Sequence, residues 1–139
     1  MLKYYTLFSM GVATLISTYG SHFGFREFSK LKNEFNQSMQ DLEVMLKTEL
    51  TEQSVEEISN ILEKGYKTPK EINLTYTDNQ KKMKAHTIQE INKYKEYKIA
   101  GLNDIFSFGV FYTFTSALLV TAIIKTTKDM NKRERELLG

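Results

Sequence analysis

Histidine is the side chain most often used for proton transfer and metal binding near neutral pH, and this chain has two, His22 and His86. His22 has no carboxylate or second histidine one helical turn away, and neither histidine belongs to a set of side chains spaced to ligate a metal. His22 lies nearer a membrane boundary, where a titratable group is more often functional, whereas His86 reads as a solvated side chain. There is no cysteine, which excludes disulfides, thiolate nucleophiles and thiolate metal sites. A glycine-rich phosphate loop, a Ser/His/Asp set, an HExxH helix and a pair of catalytic carboxylates are all missing from the sequence. The expectation is a protein that is not an enzyme, with no catalytic residue, no metal and no cofactor.

The remaining clusters are weaker. Lys81-Lys82-x-Lys84 and the tail residues Lys125, Lys128, Lys132, Arg133 and Arg135 are basic, but Asp129, Glu134 and Glu136 dilute the tail. It reads as a solvated helix continuation rather than a headgroup-binding patch. Phe106, Phe108, Phe111, Tyr112 and Phe114 gather aromatics without the polar ligands a cofactor pocket needs, so packing against lipid or protein is the simpler reading. Asn36-Gln37-Ser38 and Asn73-Leu74-Thr75 match the glycosylation sequon, a pattern too short to carry weight alone. A net charge of +2, with lysines spread among acidic residues, implies no nucleic-acid partner.

The elements that would position any site are set by two uncharged runs. Ile105 to Ile124 reads IFSFGVFYTFTSALLVTAII between Asp104 and Lys125. At 1.5 Å per residue it is about 30 Å long, the thickness of a bilayer's hydrocarbon core. Tyr4 to Phe25 is also uncharged and long enough to span, but Ser, Thr, Gly and Tyr fill more than half of it. On a helix Ala13, Ser17, Gly20 and Gly24 share a smooth face, with Ser21 beside them, and bulky residues line another. Small faces let backbones approach closely in a membrane, and Gly20-x-x-x-Gly24 is the simplest such surface. Gly109, Thr113, Ser116 and Ala117 form a smooth face on the second run that can receive it. A secretory signal peptide is the rival reading of the first run, but no A-x-A-like cleavage site closes it, so an uncleaved anchor is expected.

Between the runs the chain is polar but keeps a helical rhythm. Phe28, Leu31, Phe35, Leu42 and Met45 occupy a and d positions of a heptad frame interrupted by Ser38 and Glu49, so the first helix should continue to about Leu50. Ser54-Val55-Glu56-Glu57 reads as the capping box of a short helix with Val55, Ile58 and Leu62 on one face, stopped by Gly65 in a left-handed cap. Thr68-Pro69-Lys70-Glu71 is a further start signal. The alternation of Ile72, Leu74 and Tyr76 with Asn73, Thr75 and Thr77 argues instead for an extended tip, or a strand that pairs with another protein. Asp78 or Asn79 should cap a returning helix through Met83, Ile88, Ile91 and Tyr94 to about Ala100, with Gly101 and Asn103-Asp104 breaking it before the second span.

These elements compose an all-α membrane protein: two transmembrane helices joined by a long, coiled-coil-like helical hairpin with a short extra helix and an extended tip. Residues 1–25 form the first membrane helix, 26–104 the polar hairpin, 105–124 the second membrane helix and 125–139 a charged tail. Lys95 and Lys98 interrupt the returning stripe, so a two-helix seam looks too poor to stand alone. The basic tail favours both termini on the cytoplasmic or matrix side, although Arg26, Lys30 and Lys32 argue the other way. The expected role is a non-catalytic structural or assembly subunit of a larger membrane complex, in a mitochondrial or bacterial inner membrane of respiratory or energy-transducing type. Its partners would be other membrane subunits, the lipid bilayer and, as an option, further copies of the chain. Two alternatives follow from the same residues: a small pore-forming protein assembling through Gly20 and Gly24, and a coiled-coil tether or signalling protein.

Overall fold

The computed structural model describes residues 2–68 and 70–138. Three helices account for most of them: α1 (Leu2–Lys47), α2 (Glu52–Gly65) and α3 (Gln80–Leu138), with no strand among the described residues. The chain divides into two compact units, Met1–Phe28 with Asp104–Gly139, and Ser29–Asn103. Both α1 and α3 contribute to each unit.

In the unit Ser29–Asn103 the core is built from all three helices. Leu42, Leu50, Val55, Ile58, Leu62, Ile72, Met83, Ile91 and Tyr94 form one buried cluster, with Phe35, Met39, Met45 and Leu46 packed against it. The heptad seam therefore closes helix on helix only in part, Phe35 meeting Tyr94 of α3 at 6.2 Å while α2 completes the core around Leu42. Helix α2 inserts its Val55–Ile58–Leu62 face, and each large aliphatic side chain so buried contributes roughly 1.5–3 kcal/mol. A pair of arms too poor to stand alone becomes a three-helix core. Of the heptad residues Leu42 is fully buried, whereas Phe28, Leu31, Phe35 and Met45 are half-buried.

Several local expectations change. Helix α1 ends at Lys47, where the Thr48 hydroxyl donates to Met45 O at 3.0 Å, so Leu50 is free to turn into the core. The Gln80 amide then holds both backbone groups of Leu50, accepting from its N–H at 3.0 Å and donating to its carbonyl at 2.8 Å. A buried backbone segment outside a helix needs such partners. The capping box sits three residues earlier than Ser54 would place it: Thr51 is the N-cap, its hydroxyl accepts from Ser54 N–H at 3.2 Å, and Ser54 Oγ accepts from Thr51 N–H at 2.7 Å. Serine at N3 is short enough to close the box that glutamate usually makes.

Gly65 does not adopt a left-handed cap, since no described glycine has positive φ. It is the last residue of α2, and the chain leaves through Tyr66 in an extended conformation. The glycine is required by packing: a Cβ there would run into Tyr94 Cε2, with Oη at 2.8 Å and Cζ at 2.9 Å. Pro69 lies outside the described residues, and Lys70 to Asn79 contains neither helix nor strand; Leu74 N–H donates to Ile72 O at 3.0 Å, a γ-turn at Asn73 that interrupts the extended tip the alternation predicts.

Asn79 caps α3, its carbonyl accepting from Met83 N–H and its Oδ1 from Lys82 N–H at 3.1 Å. The buried stripe that follows is Met83, Thr87, Ile91 and Tyr94; Ile88 points outward at 45% exposure. Thr87 tolerates full burial because its hydroxyl donates to Met83 O at 2.9 Å. No break occurs at Gly101 or Asn103-Asp104, and α3 runs on to Leu138. A single glycine costs a helix only about 1 kcal/mol, which flanking helix formers outweigh.

Within α3 lies the one segment, among the described residues, long and apolar enough to cross a membrane by length and composition. Its 18-residue window has a mean hydropathy of 1.8 and is 6% buried. The hydroxyls of Thr113, Thr115 and Thr121 each donate to the carbonyl four residues back at 2.9 Å, which removes most of their cost in hydrocarbon.

Candidate functional site

In the unit Met1–Phe28 with Asp104–Gly139 the site is a helix–helix interface made of small residues. Gly24 meets Gly109 so closely that a Cβ on Gly24 would lie 2.8 Å from Gly109 Cα and 3.0 Å from its N. One turn earlier, a Cβ on Gly20 would lie 2.7 to 3.0 Å from atoms of the Tyr112 ring. Ser17 is buried at 5% exposure, Gly24 and Gly109 are buried, Ala13 is half-buried, and Ala117 is exposed.

Close approach brings hydroxyls together. Ser21 Oγ and Thr113 Oγ1 are 2.6 Å apart, and Thr18 Oγ1 and Ser116 Oγ are 2.9 Å apart. Because Thr18 and Thr113 also donate within their own helices, the serines supply the interhelical protons. Such bonds contribute about 0.6 kcal/mol each in a membrane, with glycine packing adding dispersion. The end of the interface is sealed by Phe106, whose ring centroid lies 5.8 Å from Phe25 and 5.2 Å from Phe28. Thr18, Phe25, Phe106 and Tyr112 were not among the small residues that mark the interface in sequence. Tyr112 is signalled only by following Gly109 by one turn, which places a flat ring beside the gap a glycine leaves.

The opposite face of α1 in this unit is bulky and open. Tyr4, Tyr5, Phe8, Leu15, Ile16 and Tyr19 are all 62–73% exposed. His22 is exposed on the same part of the helix. On α3, Phe106, Phe111 and Phe114 border an open groove rather than an enclosed cavity, and Ser107 and Thr115 are its polar members.

His86 has Glu90 one turn on, but Glu90 Oε1 takes the Lys93 ammonium at 2.6 Å. No group of three His, Asp or Glu side chains able to hold a metal occurs among the described residues. Among the described residues the one resolved shift in titration belongs to Tyr94 and is structural. Burial raises the Tyr94 phenol above its ordinary value, hydrogen bonding to Ser38 opposes this, and the Tyr66 phenol adds to the rise. Tyr94 is packed between Phe35 at 6.2 Å and Tyr66 at 6.0 Å, with the Lys98 ammonium 5.8 Å from its ring centre. The tail cations Lys128, Lys132 and Arg135 line one exposed face of α3 together with Glu136, and Lys132 approaches Glu136 at 3.9 Å. No family model, curated protein or solved structure matches this chain.

Proposed function

We propose that the chain is a two-pass integral membrane protein, in which segments 4–25 and 105–124 cross together, and that it serves as a non-catalytic accessory or assembly subunit of a larger membrane complex. An inner membrane, mitochondrial or bacterial, with both termini on the matrix or cytoplasmic side, fits its basic tail. The observation that carries the reading is the division of labour between the two faces of segment 4–25. Its small face is satisfied by segment 105–124 through Gly24, Gly109 and the serine–threonine bonds. That contact lets a segment too polar to insert by hydropathy alone enter beside one that is apolar enough. Its aromatic face, with Tyr5 and Tyr19 at 70% and 72% exposure, remains for a neighbour. Phenol hydroxyls within a membrane segment favour a protein surface over lipid tails.

The same division counts against a pore assembled through Gly20 and Gly24, because that face is already occupied within the chain. Native gel electrophoresis of a tagged chain, extracted from its own membranes in mild detergent, tests the proposal. The expected result is migration well above a dimer of a 16.2 kDa chain, with other membrane proteins in the band. Migration solely as monomer or dimer would sink it.

A further inference from the structure

We infer, resting on the two-pass reading above, that segments 4–25 and 105–124 pair out of step, so that their hairpin has a shared uncharged span of about 24 Å and selects a bilayer with a thin hydrocarbon core. The register comes from the interface. Ser21 lies level with Thr113 and Thr18 with Ser116, their hydroxyls 2.6 and 2.9 Å apart, and Gly24 meets Gly109. Both helices run unbroken through this region, so the same antiparallel register carries outward residue for residue. Lys125 then falls level with Ser9, and Arg26 with Phe108.

Neither run can therefore use its whole length. Taken singly, each is about 30 Å or longer, enough for an ordinary bilayer. Side by side, Lys125 on α3 closes the common span at one edge and Arg26 on α1 closes it at the other. What remains uncharged on both helices is 10–25 against 109–124, about 24 Å at 1.5 Å per residue. Both cations are exposed, so neither charge is sheltered by the neighbouring helix. Their long stems can lift the charge toward water, which softens both edges. Glu27, one residue beyond Arg26, has too short a stem to follow.

Two further placements fit a thin core. His22 is exposed and lies one turn inside the Arg26 edge, about 6 Å, so extra thickness would draw its imidazole deeper into hydrocarbon. Hydroxyls within the common span are paired: Thr14 donates to Met10 O at 2.8 Å, Ser21 and Ser116 reach the neighbouring helix, and Thr113 and Thr121 donate within α3 at 2.9 Å. The span is thus compatible with hydrocarbon, and the charges set its edges. A core of ordinary thickness would have to thin around the hairpin, whereas one near 24 Å would not.

The chain has no tryptophan, so Leu118→Trp, at an exposed position of the common span, supplies a single fluorophore facing lipid. The full chain is reconstituted into phosphatidylcholine bilayers of graded acyl length, and quenching by brominated lipids of the same lengths gives their relative affinities. Affinity should be highest for a hydrocarbon core of about 24 Å and fall about twofold or more by about 30 Å. Removing single charges tests the register. Lys125→Leu extends the common span through residue 127, by about 4.5 Å, and should shift the maximum by that amount. Asp104→Leu removes the charge that bounds the second run in sequence, but this residue lies beyond the Arg26 edge, so the maximum should stay where it is. A maximum at about 30 Å or more, no shift with Lys125→Leu, or an equal shift with Asp104→Leu would each overturn the inference with segment 105–124 still in lipid. A tryptophan unquenched in every lipid would instead remove the two-pass reading, and this inference with it.

Discussion

Replacing a helical glycine by alanine ordinarily stabilises a protein, and Gly65→Ala should do the opposite here. Gly65 is in α2 with negative φ, so alanine gains about 1 kcal/mol from helix propensity. Against this, the new methyl group would run into the edge of Tyr94, with Oη and Cζ inside 3.0 Å. The ring has nowhere cheap to go: Tyr94 is 2% exposed and wedged between Phe35 and Tyr66. Overpacking of this kind costs roughly 2–3 kcal/mol, leaving a net loss of about 1–2 kcal/mol. The double-mutant cycle isolates the contact. In the Tyr94→Leu background the obstruction is gone, and Gly65→Ala should then stabilise by up to about 1 kcal/mol, so the sign of its effect inverts. Denaturant unfolding of the full chain in mild detergent, followed by the near-ultraviolet dichroism of the tyrosines, reads both. If Gly65→Ala stabilises the unaltered chain, or acts equally in the two backgrounds to within about 0.5 kcal/mol, the packing argument is refuted.

Tyr94 also makes stability depend on alkaline pH. Its folded-state pKa is raised above 10.0 by burial, so the folded chain holds this proton more tightly than the unfolded chain. That contribution is whole below the unfolded value and is lost as pH rises through the folded one. Tyr94→Phe should therefore lessen the fall in unfolding free energy above about pH 9.5, and an unchanged slope would reject the assignment. Labelling sealed vesicles with an impermeant thiol reagent tests the two-pass topology. A cysteine placed ahead of Met1 and Leu138→Cys should react from one side, and Asn79→Cys from the other. If only α3 crosses, the leading cysteine will react together with Asn79→Cys.

The helical character of the chain was legible because its signals are local. Polar residues with apolar spacing of three and four identify α1 and α3, and Val55, Ile58 and Leu62 mark the face that α2 buries. The start of α3 at Asn79 follows from a side chain bonding its own neighbours. The alternation of Ile72, Leu74 and Tyr76 inward with Asn73, Thr75 and Thr77 outward, in the stretch before it, was legible too. The small faces of 4–25 and 105–124 were equally plain, since a row of Gly, Ala and Ser is visible without knowing what meets it.

Pairing between distant elements was not legible, because periodicity states that a face is apolar and not what covers it. The heptad residues Phe35, Leu42 and Met45 invite a two-helix seam, and Phe35 does meet Tyr94, yet α2 joins the same core, which only the tertiary structure decides. Gly65 carries the composition of a cap, but the ring of Tyr94, 29 positions along, decides why no side chain fits there. Gly101 resembles a break and is none, since the helix formers on either side outweigh one glycine. By itself the sequence determined the helices and the apolar segment 105–124, both of which depend on residues near one another in the chain. The structure decided which faces meet: Gly24 on Gly109, Gly65 on Tyr94, and Leu50 on Gln80. Those contacts depend on side chains from different helices reaching the same few ångströms, and no local pattern encodes that distance.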